Sequence, residues 1–247
     1  MELNDNTYIL NDDQHRKLSC FSLEIYSEIK AIVISHGFED EIKWQDSLSV
    51  DDISESQFLK EAAWVVLSSG FRESVVRKKF KYISLCFCNW ESAKEITENC
   101  EQCFDCAMES FSNKRKMNAI VKIAKDIHFS GFEYFWSKVL LDPIAELKKL
   151  PYVGDITSFH LAKNLGFNVA KADRHLARIA DSFGFENDAN SFCLEVSKVS
   201  NDKVNVIDLV LWRFATIESS YLDFLQKRLN ELETMSFDLI NQTHAPG

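Results

Sequence analysis

Glycine and proline are scarce in this chain, at seven and three of 247 residues. Little material is left for the tight turns that an all-β fold needs, so a mostly helical chain is expected. No apolar run approaches the roughly 20 residues of a membrane span. The first ten residues, MELNDNTYIL, are acidic and lack the basic, then apolar, pattern of a leader. A soluble, intracellular protein is expected, cytoplasmic, or nuclear if the source is eukaryotic. No His-Glu-x-x-His pattern or spaced histidine pair suggests a metal site. What is present is an apolar share of 46%, enough to bury a sizeable core in one or two domains.

The net charge of −10 argues against a polyanion partner until its distribution is read. Residues 1–60 carry thirteen acids and five bases, and residues 181–247 carry eleven acids and five bases. Residues 61–180 hold fourteen acids against eighteen bases. The middle alone is basic. Its bases gather into three groups: Arg72, Arg77, Lys78, Lys79 and Lys81; Lys114, Arg115, Lys116, Lys122 and Lys125; and Lys148, Lys149, Lys163, Lys171, Arg174 and Arg178. Each alone reads as a solvated helix face.

Apolar spacing places the helices. Leu18, Phe21, Ser22, Ile25, Ile29 and Ile32 mark one, and Leu59, Ala62, Ala63, Val66 and Leu67 a second, entered through a Ser54-x-x-Gln57 capping box. Ile120, Ile123, Ala124 and Ile127 repeat the period, as do Leu176, Ile179, Ala180 and Phe183, and then Ile207, Val210, Leu211 and Phe214. The stretch YISLCFCNW (residues 82–90) alternates like a strand but has no partner, so a packed loop is expected. Residues 243–247 are expected to fray.

Residues 150–178, LPYVGDITSFHLAKNLGFNVAKADRHLAR, carry the chemistry. Pro151 is expected to end one helix, Tyr152-Val153-Gly154 to turn the chain, and a new helix to begin near Asp155 with its first N–H groups facing outward. Such amides suit a phosphate. Asp173 follows Gly154 by nineteen positions and is flanked by Arg174. An aspartate there can cap the helix that follows, and a helix N-terminus would also keep it ionised.

With these motifs, residues 58–185 resemble the helix-hairpin-helix DNA glycosylase superfamily, which includes the endonuclease III, adenine-mismatch and alkylbase glycosylases. Residues 63–80 (AWVVLSSGFRESVVRKKF) are similar to the family's first core helix with its Leu-Ser turn, and residues 113–126 (NKRKMNAIVKIAKD) to the basic helix before the hairpin. The resemblance implies an all-α, two-lobed fold with the base pocket in a cleft between the lobes. It divides the chain into an N-terminal segment (1–57) packing with the C-terminal helices, a core (58–185) with its hairpin at 150–157, and C-terminal helices (186–247) completing the second lobe. It makes Asp173 the catalytic carboxylate. It puts Pro151, Tyr152, Val153, Gly154, Asp155, Ile156 and Thr157 on the DNA backbone, with Lys171 and Arg174 beside them. It further implies a monomer that needs no cofactor, often with a monovalent cation on the turn carbonyls.

The departures from the family pattern are informative. Members that also cleave the strand place a lysine two residues after the motif's last glycine, to form a Schiff base. Here that residue is Ile156, which implies a glycosylase that uses water and leaves an abasic site. Lys163 and Lys171 lie nearby in sequence. Tyr152 replaces the usual turn glycine, and Gly70 stands near where a polar gap-filling side chain is often found. Cys100-x-x-Cys103-x-x-Cys106, with Cys86 and Cys88 upstream, has spacing for zinc or an iron–sulfur cluster, but lacks a closed four-ligand pattern. It reads better as a buried stripe on a helix, and the odd total of seven cysteines favours reduced thiols. His160 and His175 read as hydrogen-bonding residues, and most of the five tryptophans as core. Phe132, Tyr134 or Trp136 could line a pocket.

The function expected is release of a damaged or modified base, flipped out of the DNA stack, by hydrolysis of its N-glycosidic bond. Excision of a bulky modified base from viral DNA, as a defence, is an alternative within the same chemistry. So is a noncatalytic helix-hairpin-helix module, although such a module would not need Asp173.

Overall fold

The computed structural model describes residues 12–186 and 188–243, and every regular element among them is helical. In chain order these are α1 (Asp12–Cys20), α2 (Tyr26–Val33), α3 (Glu39–Ser47), α4 (Glu55–Ser68), α5 (Glu73–Cys86), α6 (Ala93–Glu98), α7 (Cys100–Ser110) and α8 (Lys114–Ser130). There follow α9 (Phe132–Leu141), α10 (Pro143–Leu147), α11 (Asp155–Asn164), α12 (Arg174–Ser182), α13 (Ala189–Ser200), α14 (Val204–Ile217) and α15 (Tyr221–Thr243). No described helix is long and apolar enough to cross a membrane. Residues 244–247, where fraying was expected, lie outside the described residues.

The helices form two compact units. One is the continuous stretch Leu48–Val169, containing α4 to α11. The other is discontinuous and joins α1–α3 to α12–α15. The units therefore change over at Ser47 and Ala170, not at the expected residues 57 and 185.

In the continuous unit, α4 opens on the expected capping box: Ser54 Oγ accepts from Gln57 N–H, and Gln57 Oε1 accepts from Ser54 N–H at 2.9 Å. Phe58, Leu59, Ala62, Ala63, Val66 and Leu67 are then buried, a stripe at helical spacing. The α8 helix starts on an Asn113 cap and turns Ile120, Ile123, Ala124 and Ile127 inward. Residues 82–90 are not a loop. α5 runs through Cys86 and a 3₁₀ turn covers Cys88–Trp90. The buried members of this stretch are Ile83, Cys86, Phe87 and Trp90. That three-and-four spacing is helical, whereas the alternation seen in the sequence includes Tyr82 and Leu85, which are exposed. Gly166, at φ +89°, closes the last turn after α11, and a Cβ there would come within 3.1 Å of the Ser49 backbone. Only glycine fits without strain.

The discontinuous unit is built around α14. Val204, Val206, Ile207, Val210, Leu211 and Phe214 are all buried, and so are Asn205 and Asp208 among them. A helix buried nearly all round needs neighbours on several sides, and α2, α3, α12 and α13 supply them. Phe21, Phe183 and Phe192 pack with ring centroids 5.0 to 5.5 Å apart and tie the N-terminal helices to α12 and α13. Each fully buried phenylalanine contributes about 2–3 kcal/mol. Arg213 holds Glu41 through a forked pair of bonds at 2.7 and 2.8 Å.

Candidate functional site

The hairpin lies in the continuous unit. α10 carries Pro143 at its first turn and is capped by Asp142, whose Oδ1 accepts from Ala145 N–H at 3.2 Å. The helix ends at Leu147, three residues before Leu150, so Pro151 sits within the turn and does not terminate the helix directly. The turn closes with Val153 N–H donating to Leu150 O at 3.1 Å, and Val153 is buried as its anchor. Tyr152 lies at φ +68°, the left-handed region that a glycine adopts freely and a tyrosine does not. Thr157 Oγ1 accepts from Gly154 N–H at 2.6 Å and fixes the start of α11. The first amide bonded along α11 is that of Ser158, to Gly154 O at 2.9 Å. The N–H groups of Asp155, Ile156 and Thr157 thus remain available to an anion, as helix geometry requires. Tyr152 and Ile156 are both exposed, and Asp155 pairs with Lys148.

Behind the turn lies a buried lysine. Lys116, on α8, is 2% exposed. Its ammonium donates to the carbonyls of Val66, of Leu67 at 3.2 Å and of Ser69 at 2.6 Å, which close the C-terminal end of α4. The same nitrogen lies 5.2 Å from the ring centroids of Phe71 and Tyr152. Burial pushes the Lys116 amine down to about 8. One side chain therefore links the basic helix, the Leu-Ser turn and the hairpin.

Asp173 belongs to the discontinuous unit. It caps α12, with Oδ1 accepting from His175 N–H at 2.9 Å and Leu176 N–H at 3.0 Å. Both bonds fall on one oxygen and leave Oδ2 uncommitted. Arg174 is exposed and donates from Nε to His175 Nε2 at 3.3 Å. Burial lowers the His175 imidazole from its ordinary range; Asp173 opposes the shift, and Arg174 and Arg178 add to it. Lys171 donates its backbone N–H to Asp208 Oδ2 at 2.5 Å.

No protein-family model matches the chain, and no curated protein sequence matches it. Among solved structures it is similar to the 8-oxoguanine glycosylase/lyase of Methanocaldococcus jannaschii, solved with a 15mer DNA containing 8-oxoguanine. The TM-score is 0.54 at 16% identity, over 82% of this chain and 97% of that one. The chain shares the fold of that protein. In this fold the hairpin is α10, the turn and α11, and it holds seven of the residues expected on DNA, Pro151 to Gly154 in the turn and Asp155 to Thr157 at the start of α11. Lys171 and Asp173 share a second loop, in the other unit, and Arg174 begins the helix that follows it.

Several other expectations need correction. Cys86 and Cys106 form a disulfide joining α5 to α7, with Cα atoms 5.6 Å apart, so the thiols are not all reduced. Cys106 is thereby taken from the Cys100, Cys103, Cys106 stripe. Cys103 is buried, with its Sγ 4.0 Å from that of Cys88. No group of three or more metal-ligating side chains occurs among the described residues. Phe132 and Trp136 are buried. They sit one helical turn apart on the inner face of α9 and pack on Phe58, while Tyr134 is exposed. Of the tryptophans, Trp90 and Trp136 are buried and Trp44 is exposed. Lys163 is 6% exposed, within the core of its unit. The buried role of Lys116 escaped the sequence reading, where it looked like one more base of a solvated cluster. Asp208 escaped too, although a lone carboxylate inside VNVIDLVLW was its signal.

Proposed function

We propose that this protein is a DNA glycosylase that hydrolyses the N-glycosidic bond of a flipped-out base and leaves an abasic site. The observation that carries the reading is Asp173: a carboxylate with one oxygen fixed by two helix amides and the other uncommitted, in a chain that folds like a glycosylase. Breaking the bond builds oxocarbenium character on the sugar, which a fixed carboxylate stabilises, and the same group can orient or deprotonate the attacking water. The free amides of α11 and the exposed Tyr152 face the DNA backbone, while Lys171 and Arg174 add positive charge beside Asp173. Lyase chemistry is not expected. The position two residues beyond Gly154 is Ile156, which has no nucleophile, and Lys163 is buried in the core of its unit.

The test is base release, read by mass spectrometry, from DNAs carrying 8-oxoguanine, alkylated, deaminated, mismatched and bulky virus-type bases. Wild type should release one of them, and Asp173→Asn should lose at least about 100-fold of the rate. Asparagine caps a helix as well as aspartate does, so the fold and DNA affinity should persist. Borohydride should trap no covalent complex. Robust trapping would sink the hydrolytic reading, and binding without release across the panel would favour a noncatalytic hairpin module.

A further inference from the structure

The loop that delivers Asp173 is not held by regular structure, because residues 170–173 lie between elements. Two side chains on other helices hold its backbone. Ala170 N–H donates to Asn190 Oδ1, on α13, at 3.0 Å. Lys171 N–H donates to Asp208 Oδ2, on α14, at 2.5 Å. Asp173 N–H then donates to Lys171 O at 2.7 Å, a tight turn that makes the Asp173 backbone follow that of Lys171. The last link is the cap on His175 and Leu176. An unbroken series of bonds runs from α14 to the proposed catalytic carboxylate, all within one compact unit.

Asp208 is a costly residue to bury. It is 2% exposed and stands in a helix whose neighbouring residues are apolar. Lys171 is only half-buried, so water could serve its N–H, and Ala170 nearby is served by a neutral amide. A carboxylate taken out of water is retained where its bond is short and its partner must be fixed. We propose that Asp208 is a positioning residue, which with Asn190 fixes the loop so that Asp173 Oδ2 meets the sugar in reacting geometry. This rests on the glycosylase reading above. Displacement of a reacting group by about 1 Å can lower a rate by roughly 100-fold.

The experiment uses the full chain with Asp208→Ala, Asp208→Asn and Asn190→Ala. Single-turnover base release, DNA affinity, thermal melting and amide hydrogen exchange at Lys171 and Asp173 are read on each. Asp208→Ala should slow release by about 10- to 100-fold while DNA affinity changes less than about threefold, and Lys171 should exchange faster. Asp208→Asn keeps an oxygen acceptor and should recover release to within about fivefold of wild type. Asn190→Ala should slow release in the same sense. A folded Asp208→Ala with the wild-type rate would overturn the proposal, and so would an Asp208→Asn as slow as the alanine variant. If Asp208→Ala does not fold, Asn190→Ala decides, and a wild-type rate there overturns it. If the wild type itself releases no base from any DNA, the glycosylase reading fails. The holding of the loop is then judged on Lys171 exchange alone, where unchanged protection in Asp208→Ala or in folded Asn190→Ala counts against it.

Discussion

Lys116 shows how one side chain can tie a site together and set its own pH response. Burial lowers its amine from the ordinary lysine value of 10.5 to about 8, so between those limits the unfolded chain binds more protons than the native one. Its contribution to stability is least favourable below about pH 8 and improves as pH rises toward 10.5. Lys116→Met should remove that slope from urea melts taken at pH 7.5, 9 and 10. It also leaves the carbonyls of Val66, Leu67 and Ser69 without their donor, and should lower stability at pH 7.5 by about 1–3 kcal/mol. Asn205 is the opposite case. It is fully buried, and neither of its side-chain polar atoms has a partner. Asn205→Leu, which keeps the heavy-atom branching and has no polar atoms, should raise stability by about 1–3 kcal/mol, read by denaturant unfolding.

At the scale of elements, the disulfide between α5 and α7 closes a loop of sequence separation 20, for which the chain-entropy relation gives about 3 kcal/mol. Thiol titration in denaturant without reductant should find the five free cysteines, and seven after reduction. Reduction should lower stability by about 2–4 kcal/mol. In the native state Cys103 should alkylate slowest of the α7 thiols, because burial and the neighbouring Cys88 push it up to about 12. Which helices form was legible wherever apolar residues recur at three and four, as in α4, α8 and α12. The hairpin was legible because Pro151, Gly154 and Asp155 encode it locally. Residues 82–90 misled because their exposed Tyr82 and Leu85 are as apolar as their buried neighbours. The disulfide was hidden for another reason: cysteine spacing along a helix says nothing about which thiol on another helix faces it.

For the whole molecule, charge is where sequence and role are most easily confused. The total is −10, yet residues 61–180 carry eighteen bases against fourteen acids, while the continuous unit Leu48–Val169 taken alone is balanced at sixteen of each. If those bases meet phosphate, affinity for duplex DNA should fall at least about 10-fold between 50 and 200 mM salt, with a slope of about −0.9 per phosphate neutralised. A flat response in a filter-binding or anisotropy titration would show that the local surplus is only a solvated face. Asp173 was legible as a residue but not as a geometry. That Asp208 and Asn190 hold its loop depends on α13 and α14 folding back beside it, a long-range fact that no local pattern records.

The discontinuous unit also dictates an order of events at the ribosome. Leu18, Phe21, Ile25 and Ile29 bury themselves against residues of α12 to α14, which emerge only after the whole of Leu48–Val169 has been made. At about 5–20 residues per second, those apolar faces wait on the order of ten seconds for their partners. The continuous unit can close its own core in that interval, so the nascent chain presents a finished hairpin before it can present a fixed Asp173. During those seconds the N-terminal helices carry apolar faces whose partners have not yet been made.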